Sequence, residues 1–128
     1  MPEYLMLIYT PAENPLSPEE MAEMSPQWDA YTESLREAGV YLGGNALQGT
    51  DVATTVRVRD GETQITDGPF AETKEVLGGY YLLDAPDLDT VLAHATRVPN
   101  IAFGSTEVRP ILDMGARQAR VAEVEAQA

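Results

Sequence analysis

Cysteine is absent from this 128-residue chain, so disulfides, thiolate metal ligands and cysteine nucleophiles are all excluded. Positive charge is scarce: 8 Lys and Arg stand against 21 Asp and Glu, a formal net charge of -13. In the first forty residues Arg36 is the single base among the acids. So negative a surface repels phosphate backbones and anionic headgroups, and neither nucleic acid nor a membrane is an expected partner. A solvated face is the plain reading of this charge; a cationic ligand or partner is the sharper one. Histidine is nearly absent too, with His94 alone. One imidazole among dispersed carboxylates makes no chelating pattern, so no metal is expected, and Ser-His-Asp chemistry has no support. GGN and GGY lack the longer glycine pattern of a phosphate loop, and no cofactor is expected. Long apolar runs are missing as well, none approaching the roughly 18 residues of a membrane span. MPEYLMLIY carries no basic leader; it reads as a first strand rather than a signal peptide, with the cytoplasm as the expected compartment.

What is there is the pattern of one small α+β domain. YLMLIY (4–9) is a continuous apolar run of strand length, as in a central strand covered on both faces. Ser17 and Glu20 form a capping box with Pro18 at the first helical position, and Ser25–Pro26 repeats the start signal, so the helix kinks or restarts there. Trp28, Tyr31, Leu35 and Ala38 line one helical face, read as packing onto a sheet, and Gly39 ends it. Val40–Gln48 is a second strand interrupted by Gly43–Gly44, the mark of a bulge or a close backbone approach. TTVRVR (54–59) alternates, with Val56 and Val58 pointing one way, and Asp60–Gly61 turns it back into ETQIT. GGYYLLD (78–84) is another strand. Pro86–Asp87 opens a helix with Leu88, Val91, Leu92 and Ala95 as its buried stripe; His94 falls about 120° away, on a solvated flank. TEVRPIL (106–112) is a last strand whose Pro110 belongs at an edge, a bulge or the strand end. The alanine-rich tail, 113–128, either forms a short helix against a neighbour or frays, with partial order favoured.

The order is thus β-α-β-(β-β)-β-α-β. Two helices cover one face of the resulting, mostly antiparallel sheet, and the other face carries tyrosines, valines and leucines. A homodimer with sheets face to face is the economical cover.

Between the strands lies TDGPFAETKE (66–75), a turn carrying a carboxylate, a ring and clustered charge. With YLMLIY, SPEEM, the AGV and GG segment at 38–44, TTVRVRDG, the longer TDGPFAETKEVLGGYYLLD and EVRPI, it resembles the YCII-related family, in the branch named for its Asp-Gly-Pro-Phe motif. The likeness covers residues 3–112, leaving 1–112 as the domain and 113–128 as a tail. It implies a ferredoxin-like two-layer α+β sandwich with an extra β-hairpin, of the dimeric α/β-barrel type. Most members have no assigned reaction; some stand beside an extracytoplasmic-function sigma factor, which implies an accessory role in signalling. A histidine–aspartate pair in a cleft is taken as an active site in the wider family. Here no histidine lies in the first helix, where Gln27 or Trp28 stands instead.

The catalytic candidate is therefore Asp67 alone, placed by its turn as an acid or base, or else bonded to the N–H groups of that turn. Lys74, the only lysine, is a candidate for holding an anion or a surface ion pair. Arg57 and Arg59 share a strand face and sit over a cleft or pair with the neighbouring strand. Tyr80 and Tyr81 point to opposite faces, so one at most lines a given pocket. Phe70 is a further pocket candidate, more suited to capping the core edge. Two functions follow: a small dimeric ligand-binding or accessory protein acting with a small molecule or protein partner, or a cofactor-independent enzyme using Asp67.

Overall fold

The computed structural model describes residues 2–68 and 73–126, with backbone only for 114 and 116–120. Strand β1 (Glu3–Pro11) is followed by α1 (Pro18–Glu23) and α2 (Ser25–Glu37), then β2 (Tyr41–Ala46). The hairpin β3 (Thr54–Arg59) and β4 (Glu62–Asp67) precedes β5 (Glu75–Asp84), α3 (Leu88–Ala95), β6 (Ser105–Pro110) and the tail helix α4 (Met114–Ala126). The main sheet is antiparallel in the order β2-β5-β1-β6, and β3-β4 form a separate two-stranded sheet. With the hairpin set aside this is βαββαβ with the second helical crossover returning beside β1, a ferredoxin-like α+β fold.

Local chemistry accounts for the joints. Ser17 accepts from the Glu20 N–H and the Glu20 carboxylate accepts from the Ser17 N–H, closing the capping box, and the helix restarts at Ser25–Pro26 after Met24. Asp60 and Gly61 both take positive φ, 53° and 78°, as the tight hairpin turn requires. Asp87 caps α3 by accepting from the Thr90 N–H at 2.8 Å and the Thr90 hydroxyl at 2.7 Å. Those two bonds hold its carboxyl below the usual carboxylate range.

Alternation along the strands then sorts the core. Tyr4, Met6 and Ile8 of β1 and Tyr81 and Leu83 of β5 face the helices, where Tyr31 and Leu35 of α2 and Val91 and Ala95 of α3 bury against them. Met6, Leu35, Leu83, Val91 and Val98 are fully enclosed, each stabilising the fold by about 1.5–3 kcal/mol relative to exposure. The Tyr31 hydroxyl donates to the His94 carbonyl at 2.7 Å, tying α2 to α3. The stripe expected on α3 is only half buried: Leu88 and Leu92 are 43% and 42% exposed, because the short helix meets the sheet along the Val91–Ala95 line. On the opposite sheet face Leu5, Leu7, Tyr80 and Leu82 stay half-buried. β1 is central, as its apolar run requires, with β5 on one side and β6 on the other.

The hairpin keeps the alternation expected of it. Its valines do lie on one face, but Val56, Val58 and Ile65 are the exposed side, while Thr55 and Arg57 are half-buried. Among the described residues no helix is long and apolar enough to cross a membrane.

Candidate functional site

At one end of the helix–sheet layer the two halves of the fold part around a cleft of about 700 Å³, within the usual size range of small-molecule sites, roughly 300–1,000 Å³. Helices α1 and α2 supply Met21, Met24, Trp28, Asp29 and Thr32. The strands supply Ile8, Gly44, Ala46, Gly79 and Tyr81, and the loops add Asp51, Asn100 and Phe103.

Small residues make the floor. A Cβ on Gly44 would lie 2.6 Å from the Tyr80 carbonyl oxygen and 2.9 Å from Cδ1 of Tyr81. One on Gly79 would lie 2.9 Å from the Asn45 carbonyl oxygen. Strands β2 and β5 therefore approach where neither tolerates a side chain, and the space above them stays open.

Tyr81 is the centre of the wall. Its ring meets Tyr31 edge-on at 5.7 Å and Tyr41 at 6.1 Å, and Trp28 meets Tyr31 at 6.4 Å. Such edge-to-face contacts stabilise beyond simple burial and hold the rings in place. The Tyr81 hydroxyl stands 2.6 Å from the Thr32 hydroxyl, which also lies 2.9 Å from the Trp28 carbonyl. Either hydroxyl can be the donor in this pair. Burial pushes the Tyr81 phenol up from its ordinary value, with the Thr32 bond opposing more weakly. The group is accordingly a neutral hydrogen-bonding phenol at neutral pH and not a base.

Asn100 is the deepest polar group, 4% exposed. Its amide nitrogen donates to the Tyr9 carbonyl at 3.2 Å, which settles the orientation of the amide: the end beside a carbonyl must be the donor. Its Oδ1 is buried without a hydrogen-bond partner.

A model of the YCII-related domain matches residues 3–115. The chain belongs to the YCII-related family. A curated, uncharacterised protein of Rhizobium meliloti (strain 1021) is 47% identical over 77 residues, an alignment taking in 59% of this chain. The chain spans 62% of the length of that relative.

In this YCII-related chain the sequence candidates do not converge. Tyr80 and Tyr81 both count among the cleft residues, although they point to opposite sheet faces: Tyr81 forms the wall, and the Tyr80 hydroxyl accepts from the Asn45 amide at 2.8 Å. Asp67 is exposed at the end of β4, opposite Thr54, and is not among the cleft-lining residues. Its turn is held through the backbone: the Gly68 N–H donates to Ala53 at 2.6 Å, and the Thr55 hydroxyl donates to the Gly68 carbonyl at 2.8 Å. Lys74 is exposed outside the lining, though its carbonyl accepts from the Ala12 N–H at 2.8 Å, beside the cleft. Arg57 and Arg59 lie on the hairpin, also outside it. Phe70 and the rest of the 69–72 turn lie outside the described residues. His94 is half-buried on α3, its ring against the Arg97 guanidinium; burial first and Arg97 second lower its pKa from 6.5.

The residues that sequence reasoning missed are Asp29, Thr32, Asp51, Asn100 and Phe103. They come from one helix and two separate loops with no shared spacing. Trp28 was visible as a packing residue; its second role, walling the cleft, was not.

Proposed function

We propose that this protein is a homodimeric small-molecule-binding protein whose ligand occupies the cleft between α1–α2 and the β2–β5–β1 sheet end. The carrying observation is the open, mostly apolar volume of about 700 Å³ above a floor that Gly44 and Gly79 keep free of side chains. Polar groups there are few and held in place, as specificity in such sites requires: Tyr81 through Thr32, and Asn100 through Tyr9. The binding reading draws on none of the hairpin residues, and Asp67, exposed outside the lining, has no second titratable group described beside it in the cleft. The half-buried apolar face bearing Leu5, Leu7, Tyr80 and Leu82 supports the dimer.

Trp28 lines the cleft and is the only tryptophan, so its emission reports occupancy. A metabolite panel screened by thermal shift should give hits that also change Trp28 emission. Ala46→Phe, which fills the cleft from its floor, should lose both responses while remaining folded. Hits that raise Tm in both proteins without touching Trp28 emission would place the ligand elsewhere and overturn the proposal. For the dimer, sedimentation of the wild type should give twice the 13.9 kDa chain mass, and Leu7→Glu the single mass; a monomeric wild type at micromolar concentration would refute it.

A further inference from the structure

The chemistry of the cleft wall narrows the class of ligand, an inference that rests on the cleft being the binding site. Three independent features agree. First, the charged side chains lining it are Asp29 and Asp51, with no Lys, Arg or His among the described lining residues. Second, the most buried polar side chain of the lining, Asn100, holds an acceptor, its Oδ1, without a hydrogen-bond partner. A buried acceptor left unsatisfied costs free energy that a donor on the ligand would recover. Third, the apolar lining includes the aromatic residues Trp28, Tyr41, Tyr81 and Phe103, whose ring faces attract positive charge. The molecule already shows such a contact: the Arg36 guanidinium lies 4.8 Å from the Tyr41 ring centre and pairs with the Glu33 carboxylate at 3.3 Å.

We propose that the cleft binds an organic ammonium ion: a primary or secondary amine on an apolar, ring-sized body, its N–H groups directed to acceptors in the wall and its charge balanced by Asp29 and Asp51. The chain's formal charge of -13 favours the same class, because a strongly negative protein raises the local concentration of cations and repels anions. Carboxylate and phosphate compounds meet only like charge among the lining side chains.

Three probes of nearly equal size separate the alternatives: phenethylammonium, phenethyl alcohol and phenylacetate, titrated into the full chain and followed by Trp28 emission and calorimetry. The ammonium should bind roughly tenfold more tightly than the alcohol, with phenylacetate weakest. Asp29 and Asp51 are both exposed, so a D29N/D51N double variant should fold normally. It should lose most of the preference for the ammonium over the alcohol. The wild-type preference should also shrink as salt rises from about 0.05 to 0.5 M. Equal binding of alcohol and ammonium, or a preference that survives the double substitution, would overturn this inference and leave the binding cleft standing. Failure of both to bind in the cleft would remove the binding reading and the cation with it.

Discussion

Two adjacent glycines offer a test in which chemistry is constant and only position differs. Gly43 and Gly44 both lie in β2 against β5. A methyl group on Gly43 meets nothing within 4 Å, and no positive φ is involved. A methyl group on Gly44 would stand 2.6 Å from the Tyr80 carbonyl and 2.9 Å from the Tyr81 ring. The first contact is with backbone, which rotamer changes cannot move. To accept alanine, β2 must separate from β5, or Tyr81 must leave its position against Thr32. Overpacking of this kind costs about 1–3 kcal/mol. Gly43→Ala loses chain entropy only from the unfolded state and should stabilise by about 0.4–1 kcal/mol. The two variants should therefore differ by about 1.5–4 kcal/mol. Urea unfolding with a shared m-value measures this directly; as a thermal midpoint it is about 4 °C per kcal/mol for a domain of this size. Displacement of Tyr81 should also weaken ligand binding in Gly44→Ala beyond its loss of stability. If Gly44→Ala proves as stable as Gly43→Ala, the close approach of β2 and β5 is wrong, and the floor of the cleft with it.

Further outcomes follow from the same packing. Leu83→Ala, at a fully enclosed site, should lose about 2–5 kcal/mol in urea unfolding. Val56→Thr, on the 63% exposed hairpin face, should change stability by no more than about 0.5 kcal/mol. Tyr31→Phe strips the His94 carbonyl of its 2.7 Å donor in a part-buried position and should cost about 1–3 kcal/mol by the same assay. The lowered folded pKa of His94 means that the unfolded chain takes up its proton first as pH falls. Its contribution is therefore complete above 6.5 and declines as pH drops through the folded value. The stability difference between wild type and His94→Gln should accordingly move against the wild type between pH 7.5 and 5.5; a pH-independent difference would contradict the burial of that ring.

The element order, the cap at Ser17, the break at Ser25–Pro26 and the Asp60–Gly61 turn were legible because each rests on neighbours in the chain. A proline removes a donor, a serine hydroxyl reaches three residues on, and neither needs a partner from afar. Alternation in β1 likewise separates Tyr4, Met6 and Ile8 from Leu5, Leu7 and Tyr9. Which alternating face ends up inside is a different matter. Val56, Val58 and Ile65 have the more apolar pattern yet face out, because the hairpin stands as a sheet of its own beside the main one. Leu88 and Leu92 fall outside the core for a similar reason: a helix of eight residues meets a twisted sheet along one line, and the stripe is wider than the line.

The site divides in the same way. By itself the sequence determined the acidic character, the lack of thiol chemistry and the family signature, since these are properties of composition and order. It also singled out Asp67, the carboxylate in its most distinctive segment, but not the cleft. Tertiary structure alone brought Trp28 and Asp29 from α2, Gly44 from β2, Tyr81 from β5 and Asn100 from the loop before β6 around one volume. Those positions are separated by up to seventy-two residues, and only the crossing of α2 over the β2–β5 pair makes them neighbours. The orphaned acceptor on Asn100 exists for the same reason: its amide nitrogen is spent on Tyr9, ninety-one residues away in the chain, and the oxygen is left buried without a hydrogen-bond partner.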